Sequence, residues 1–332
     1  MATRTQSEII ELLNNHFPKP ELLQIVQTVL QVSKPTAYKY LSKEVSISYD
    51  HMNRLIEHPL IQPVLYFKGQ TGNSDIVWNY PVFDRHITDA ISYVHSINNF
   101  IRLFESQKDA EIKYTSYEVP LFYYMYYPRI FAFKLFCWSK TIWQTPGFQD
   151  AKFDYDAVMT PEVVLLMEDT LLRFSELKST EYWTDQLFDN TIRQIHYFRE
   201  MEYFDTMKTI KDLAYDIHKL IGSMRVMAAS GRKFHPDLKK QAAPITIYRN
   251  DIYFTNNIVS VHSPDRIITF CAFDNPNYII TMDSKLGLRT SEWLENMQSG
   301  CTRLTQNNDL VRLGFFRTME DKLSMLGFDF NA

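Results

Sequence analysis

Residues 21–44 read Glu-Leu-Leu-Gln-Ile-Val-Gln-Thr-Val-Leu-Gln-Val-Ser-Lys-Pro-Thr-Ala-Tyr-Lys-Tyr-Leu-Ser-Lys-Glu. Leu22, Leu23, Val26, Val29 and Leu30 recur at helical spacing and supply the buried side of one helix. Val32 plugs a short turn. Ser33 stands where a hydroxyl caps the next helix, and Lys34 and Pro35 follow in its first turn, where a missing N–H costs nothing. The stretch predicts helix, tight turn, helix, a unit that can seat its second helix in a DNA major groove. Within that second helix Ala37, Tyr40 and Leu41 lie at core spacing. Lys34, Thr36, Tyr38, Lys39 and Lys43 project outward or toward its N-terminal end.

The flanks complete a small helical domain. Thr5 and Glu8 have capping-box spacing, and Ile9, Leu12, Leu13 and Phe17 form one apolar face before Pro18 stops the helix. Pro20 falls at the start of the second helix, where proline is tolerated. A fourth helix is expected from Ser48, packing Met52, Leu55 and Ile56 beneath the unit. Residues 1–60 are therefore expected to form a four-helix, helix-turn-helix DNA-binding domain. The helix at 33–43 would be the reading helix: Ser33 presents its N-terminal amides to a phosphate, Thr36, Tyr38 and Lys39 face base edges, and Lys34 and Lys43 contact backbone.

These residues also carry a family resemblance. Residues 7–58 resemble the N-terminal domain of bacterial regulators of the Cro/lambda-repressor-like helix-turn-helix superfamily, through Val32, Ser33, Ala37, Tyr38, Lys39 and Glu44. The resemblance implies a transcriptional regulator that binds double-stranded DNA through the third helix, as a homodimer. The sequence departs from the pattern at Gln27, where a small residue is usual, and at Ser42, where a glycine often ends the reading helix. With Ser42 the helix is expected to run on to Lys43. The segments 128–138 and 191–204 more loosely resemble the long C-terminal regions attached to some members of this group. The competing reading is a helical hairpin that only packs, in a protein-interaction or small-ligand-binding module.

Charge constrains the DNA reading. Over residues 1–60 six basic residues (Arg4, Lys19, Lys34, Lys39, Lys43, Arg54) face six acidic ones (Glu8, Glu11, Glu21, Glu44, Asp50, Glu57), and the whole chain carries −4. Phosphate contacts supply most non-specific affinity, so one neutral domain binds weakly. Two copies about 34 Å apart, one turn of the duplex, are needed.

The remaining chain, of 332 residues in all, is expected to add a linker at 61–80, from Pro63 and the Lys68–Asp75 turn residues, and a region at 81–332 for dimerisation and the sensing of a small-molecule effector. Helices are predicted at 83–104, 128–143, 161–177, 184–201 and 205–229. Strands are predicted at 245–248, 252–255, 258–261, 267–273 and 278–282, joined by turns short enough for an antiparallel meander and covered by helices at 291–297 and 309–326. The fold class is mainly α with an α+β C-terminal part: an N-terminal four-helix domain, a central helical region, and a C-terminal antiparallel sheet with covering helices.

The segment Tyr117 to Trp143 holds eleven aromatics. An aromatic core or dimer interface is expected first, an effector pocket second, and a platform for single-stranded nucleic acid third. Four neighbouring tyrosines, 123, 124, 126 and 127, cannot all point one way, so their hydroxyls need water, a partner or a ligand. The basic run Arg232, Lys233, Lys239 and Lys240 reads as a solvated loop, with anion or DNA-backbone binding as the alternative. Asp154 and Asp156 read as solvent-facing, and the nine histidines are scattered. No phosphate loop, metal-spaced Cys or His group or nucleophile elbow occurs, so neither catalysis nor a cofactor is expected. Cys137, Cys271 and Cys301 read as free thiols. Charges and prolines interrupt every apolar run, so no membrane span is expected and a cytoplasmic location is.

Overall fold

Thr5 opens the first helix as a capping box. Its N–H donates to Glu8 Oε2 at 2.7 Å and its Oγ accepts from the Glu8 N–H at 3.4 Å. The computed structural model describes residues 5–61, 76, 78–80, 87–102, 104, 109–236, 242–251, 256–264, 266–306 and 308–327. Pro63 and the 68–75 loop of the expected linker, the expected strand 252–255, and Lys239 and Lys240 lie outside the described residues. The chain divides into two compact units, Met1–Asn79 and Tyr80–Ala332.

The first unit holds α1 (Gln6–His16), α2 (Lys19–Leu30), α3 (Lys34–Leu41) and α4 (Tyr49–Ile56). Ile10, Leu13, Leu22, Val26, Ala37, Leu41 and Leu55 meet in one core. Ser33 caps α3 and Ser48 caps α4 through hydroxyls that accept from Thr36 N–H and His51 N–H. The small Ala37 side chain is fully buried. Contrary to the sequence expectation, α3 stops at Leu41 with Ser42 as its cap, and Lys43 turns left-handed at φ +65°. The left-handed position that ends a helix is merely displaced one residue past the place where glycine is usual.

The second unit runs α5 (Ala90–Arg102), β1 (Glu111–Ser116), α6 (Leu121–Tyr124), α7 (Pro128–Thr141), α8 (Tyr155–Val158), α9 (Pro161–Glu176), β2 (Lys178–Trp183), α10 (Asp189–Glu200) and α11 (Met207–Ser230). It continues through β3 (Ile245–Arg249), β4 (Ile258–His262), β5 (Ile267–Asp274), β6 (Asn277–Thr281), α12 (Ser284–Ser299), β7 (Thr302–Arg303) and α13 (Asp309–Lys322), with a closing 3-10 turn over Leu323–Leu326. Three strands of the expected meander are present, β4, β5 and β6 pairing antiparallel in that order, whereas β3, expected as its first strand, runs parallel beside β2 instead. It forms one flank of a seven-stranded mixed sheet, ordered β6-β5-β4-β1-β2-β3-β7. β1, β2 and β3 are mutually parallel neighbours, so two strands from the segment expected to be helical sit at the sheet's centre.

The parity of those central strands sorts the two faces. On β2, Ser179, Glu181 and Trp183 face the helical layer, and Tyr182 faces α12, donating to Leu294 O at 3.1 Å. On β1, Lys113 reaches toward α12, where Ser291 and Glu295 each lie 3.5 Å from its Nζ. Gly287 lets α12 approach closely, because a Cβ there would lie 2.9 Å from the Cβ of Ile267.

The aromatic segment is core. α7 is buried continuously from Ile130 to Ser139, as expected of a helix that is apolar almost all round. Each fully buried Ile, Leu or Phe there contributes about 1.5–3 kcal/mol. Every hydroxyl of the tyrosine cluster finds a protein partner: Tyr123 donates to Glu181, Tyr124 pairs with Thr191, Tyr126 donates to Phe234 O and Tyr127 pairs with Ser223. The single charge inside α7's buried run, Lys134, pairs with Glu118 and donates to Gln194 Oε1 at 2.7 Å. Glu118 also accepts from Asn275 Nδ2 at 2.6 Å and Asn190 Nδ2 at 3.2 Å. Removing one member of a buried pair strands the other. Lys134→Met is expected to lower unfolding stability by about 3–5 kcal/mol, measured by urea denaturation. Adding Glu118→Gln to that variant should recover part of the loss.

Candidate functional site

The chain between α2 and α3 makes the tight turn in three residues. α2 ends at Leu30, Gln31 adopts a left-handed conformation (φ +53°), and Val32 is half-buried ahead of the Ser33 cap. A non-glycine residue in that conformation costs about 1–2 kcal/mol, offset here by the packing of the helices on either side. Ser33 Oγ lies 3.4 Å from the Thr36 N–H and 2.9 Å from Thr36 Oγ1. Thr36 is thus half-buried and already hydrogen-bonded, which reduces its reach as a reading group.

Helical spacing sets Tyr38 and Lys39 beside Pro35 and Ser42 on the side of α3 opposite Ala37 and Leu41, with Lys34 at one flank and Thr36 at the other. Lys34, Tyr38 and Lys39 are exposed; Tyr38 is 46% exposed. Lys19, at the start of α2, places its Nζ 5.0 Å from the Tyr38 ring centroid, a cation–π contact that holds the ring and adds a positive charge beside it. Lys43 is exposed but paired, its Nζ 3.1 Å from Glu11 on α1. An exposed pair of this kind is worth at most about 1 kcal/mol, so the ammonium is exchangeable. The six residues expected at the site therefore fall into a helix cap (Ser33, Thr36), an exposed set (Lys34, Tyr38, Lys39) and one lysine tied to α1 (Lys43).

Two contributors were not anticipated. Asn14 on α1 donates to Leu41 O at 3.0 Å and so closes the C-terminal end of α3. Lys19 completes the exposed basic set with Lys34 and Lys39. Neither lies at a spacing that couples it to α3 within the linear sequence, so only the packing of α1 and α2 reveals them.

In the second unit a cavity of about 150 Å³ lies between α5, α6 and the β4-β5-β6 meander, walled by Phe100, Phe122, Phe270, Ile97 and Ile280. Glu118, Tyr114, Tyr278 and Asn277 also line it. Among the described residues no group of three or more His, Cys, Asp or Glu is placed to hold a metal ion, and no helix is long and apolar enough to cross a membrane.

Compared with known proteins, the chain matches no family model, no curated protein and no solved structure. The functional reading rests on its own residues and their geometry.

The basic run ahead of β3 departs from expectation. Lys233, expected in a solvated loop, is 4% exposed and donates to Phe174 O at 3.1 Å and Leu177 O at 2.6 Å, at the C-terminal end of α9. Its Nζ lies 3.6 Å from the Phe174 ring centroid. Burial lowers the amine from its ordinary 10.5 to about 7, with Glu181 pulling the other way. Between those two values the unfolded chain holds a proton that the folded chain lacks. Stability therefore falls as pH drops from about 10.5 to about 7, and this contribution levels off below that. Urea denaturation across that range should show wild type losing stability relative to Lys233→Met as pH falls; a pH-independent gap refutes the lowered amine.

Proposed function

We propose that this protein is a cytoplasmic DNA-binding transcriptional regulator of the Cro/lambda-repressor-like helix-turn-helix kind. The observation that carries the reading is α3 itself: a hydroxyl-capped helix packed on α2 through buried Ala37 and Leu41, with Lys34, Tyr38 and Lys39 on its outward side and Lys19 beside them. Laid in a major groove, α3 brings Tyr38 and Lys39 to base edges. Lys34 and Lys19 meet phosphates, and the Ser33 end of the helix offers its free amides to another.

Lys43 joins the phosphate contacts only by exchanging Glu11 for DNA. That exchange brings little energy but does not oppose binding, since the exposed pair is weak. The equal numbers of acidic and basic residues in the first 60 positions keep one copy's affinity low. The working form in this reading is a homodimer, with the larger second unit joining two copies so that both α3 helices reach one face of the duplex.

Binding to random duplex DNA at a series of salt concentrations tests the reading. A log–log slope of about −0.9 per phosphate contacted is expected. Lys34→Ala should reduce its magnitude by about 1, and Lys39→Glu should weaken binding by about tenfold or more, the equivalent of at least ~1.4 kcal/mol. Absence of salt-sensitive affinity at low ionic strength, or a Lys39→Glu variant that binds as wild type does, overturns the proposal.

A further inference from the structure

We propose that the cavity beside α5 is a binding site for a small, neutral, single-ring aromatic molecule that carries an oxygen acceptor, a phenol or an aromatic aldehyde. The proposal is independent of DNA binding, because it concerns the second unit alone.

Size sets the first limit. The cavity measures about 150 Å³, the volume at which an apolar cavity in a protein takes up benzene. One ring fits and a fused tricycle does not. The walls set the second. Phe100 and Phe270 already meet edge to face with centroids 4.3 Å apart, and Phe122 stacks on Phe174 at the same separation. These rings give a flat guest both faces and edges to pack against. Ile97 and Phe100 on α5 and Ile280 on β6 are only half-buried.

The polar end decides the chemistry. Among the described residues that line the cavity Glu118 is the one charged side chain, and its carboxylate is already engaged by Lys134, Asn190 and Asn275. An anionic guest would lie beside a carboxylate, and the nearest cation, Lys134, is already held by that carboxylate and Gln194. A cationic guest would give up its hydration for oxygens that are already occupied. A neutral molecule avoids both costs.

Two donors, in contrast, are not fully spent. Asn277 is 2% exposed, and its Nδ2 faces only the Tyr80 hydroxyl, with no hydrogen bond of normal geometry. The Tyr114 and Tyr278 hydroxyls lie 3.0 Å apart and share one hydrogen bond, which uses one of their two protons. Buried donors without acceptors are costly, and an oxygen on the guest supplies what they lack.

Phenol, toluene and benzoate are the probes, titrated into the full-length protein and followed by ligand-detected NMR and by the shift in Tm. Phenol should bind saturably, toluene at least ~5-fold more weakly for want of the oxygen, and benzoate not measurably. Ile280→Phe, which adds ring volume at the half-buried edge strand β6, should abolish phenol binding while far-UV circular dichroism stays unchanged. Tyr278→Phe keeps the walls and removes one hydroxyl, so it should bring phenol and toluene to similar affinities. Failure of phenol to bind wild type, benzoate binding as tightly as phenol, or undiminished phenol binding by a folded Ile280→Phe variant each overturns the proposal.

Discussion

Lys134 sits midway along α7 with no exposed surface, and its ammonium is satisfied by Glu118 and Gln194, with Tyr124 and Trp138 rings about it. An ion withdrawn from water tolerates only arrangements in which partners surround it. This one condition ties together segments far apart in the chain: Glu118 follows β1, Asn190 and Gln194 lie on α10, and Asn275 lies in the turn between β5 and β6. A shift of α7 along its axis would keep its apolar contacts approximately, since one phenylalanine can replace another against a wall. It would not keep the ammonium among its partners. The aromatic residues supply most of the burial energy, and the ion pair selects one register among the packings they would accept.

A second buried carboxylate works differently. Glu181, on central strand β2, accepts from Tyr123, Ser179 and Trp183. Three neutral donors disperse its charge, and the Lys233 ammonium acts on it only at longer range. Glu118 and Glu181 together explain why so many of the tyrosines and asparagines in this core are spoken for. The Asn277 amide, without a hydrogen bond of normal geometry, and the Tyr114–Tyr278 pair, which shares one hydrogen bond between two hydroxyls, depart from that pattern.

The contrast between the two units shows which features a sequence makes readable. Thr5, Ser33 and Ser48 act within three residues of themselves, so capping was visible in the order of the letters, as was the burial of Ala37 and Leu41. The end of α3 was not. Whether Ser42 continues or stops the helix depends on Asn14, 27 positions away, which donates to Leu41 O. β1 and β2 were missed for a different reason. Strands buried in a parallel sheet ordinarily read as apolar runs, but Lys178–Trp183 and Glu111–Ser116 bury Ser179, Glu181, Thr115 and Ser116, and Glu181 and Thr115 find partners in segments far along the chain, at Tyr123 and Asn256. The meander strands, richer in Ile, Val and Phe and bounded by short turns, carried their own signal. Lys233 was misread on the same principle: a lysine amid charges resembles a solvated loop until the carbonyls at the end of α9 are brought to it.

The proposed reading surface has the same division between local and distant causes. The cap and the outward placement of Tyr38 and Lys39 follow from helical spacing within α3. The positive character of that side depends on Lys19, brought from α2, and is moderated by Glu11, brought from α1 onto Lys43. In a domain with as many acids as bases, net charge says little about the field above one helix; what matters is which charges the packing leaves together. Lys34 and Lys39 are exposed on α3 with Lys19 over the Tyr38 ring, and the Glu11 carboxylate is held by Lys43. A neutral domain with one locally basic helix binds DNA weakly and loses that binding readily with salt. Joining two copies multiplies the affinity without any further basic residue. Under the proposed function, dimerisation through the second unit would set whether the reading helix is occupied.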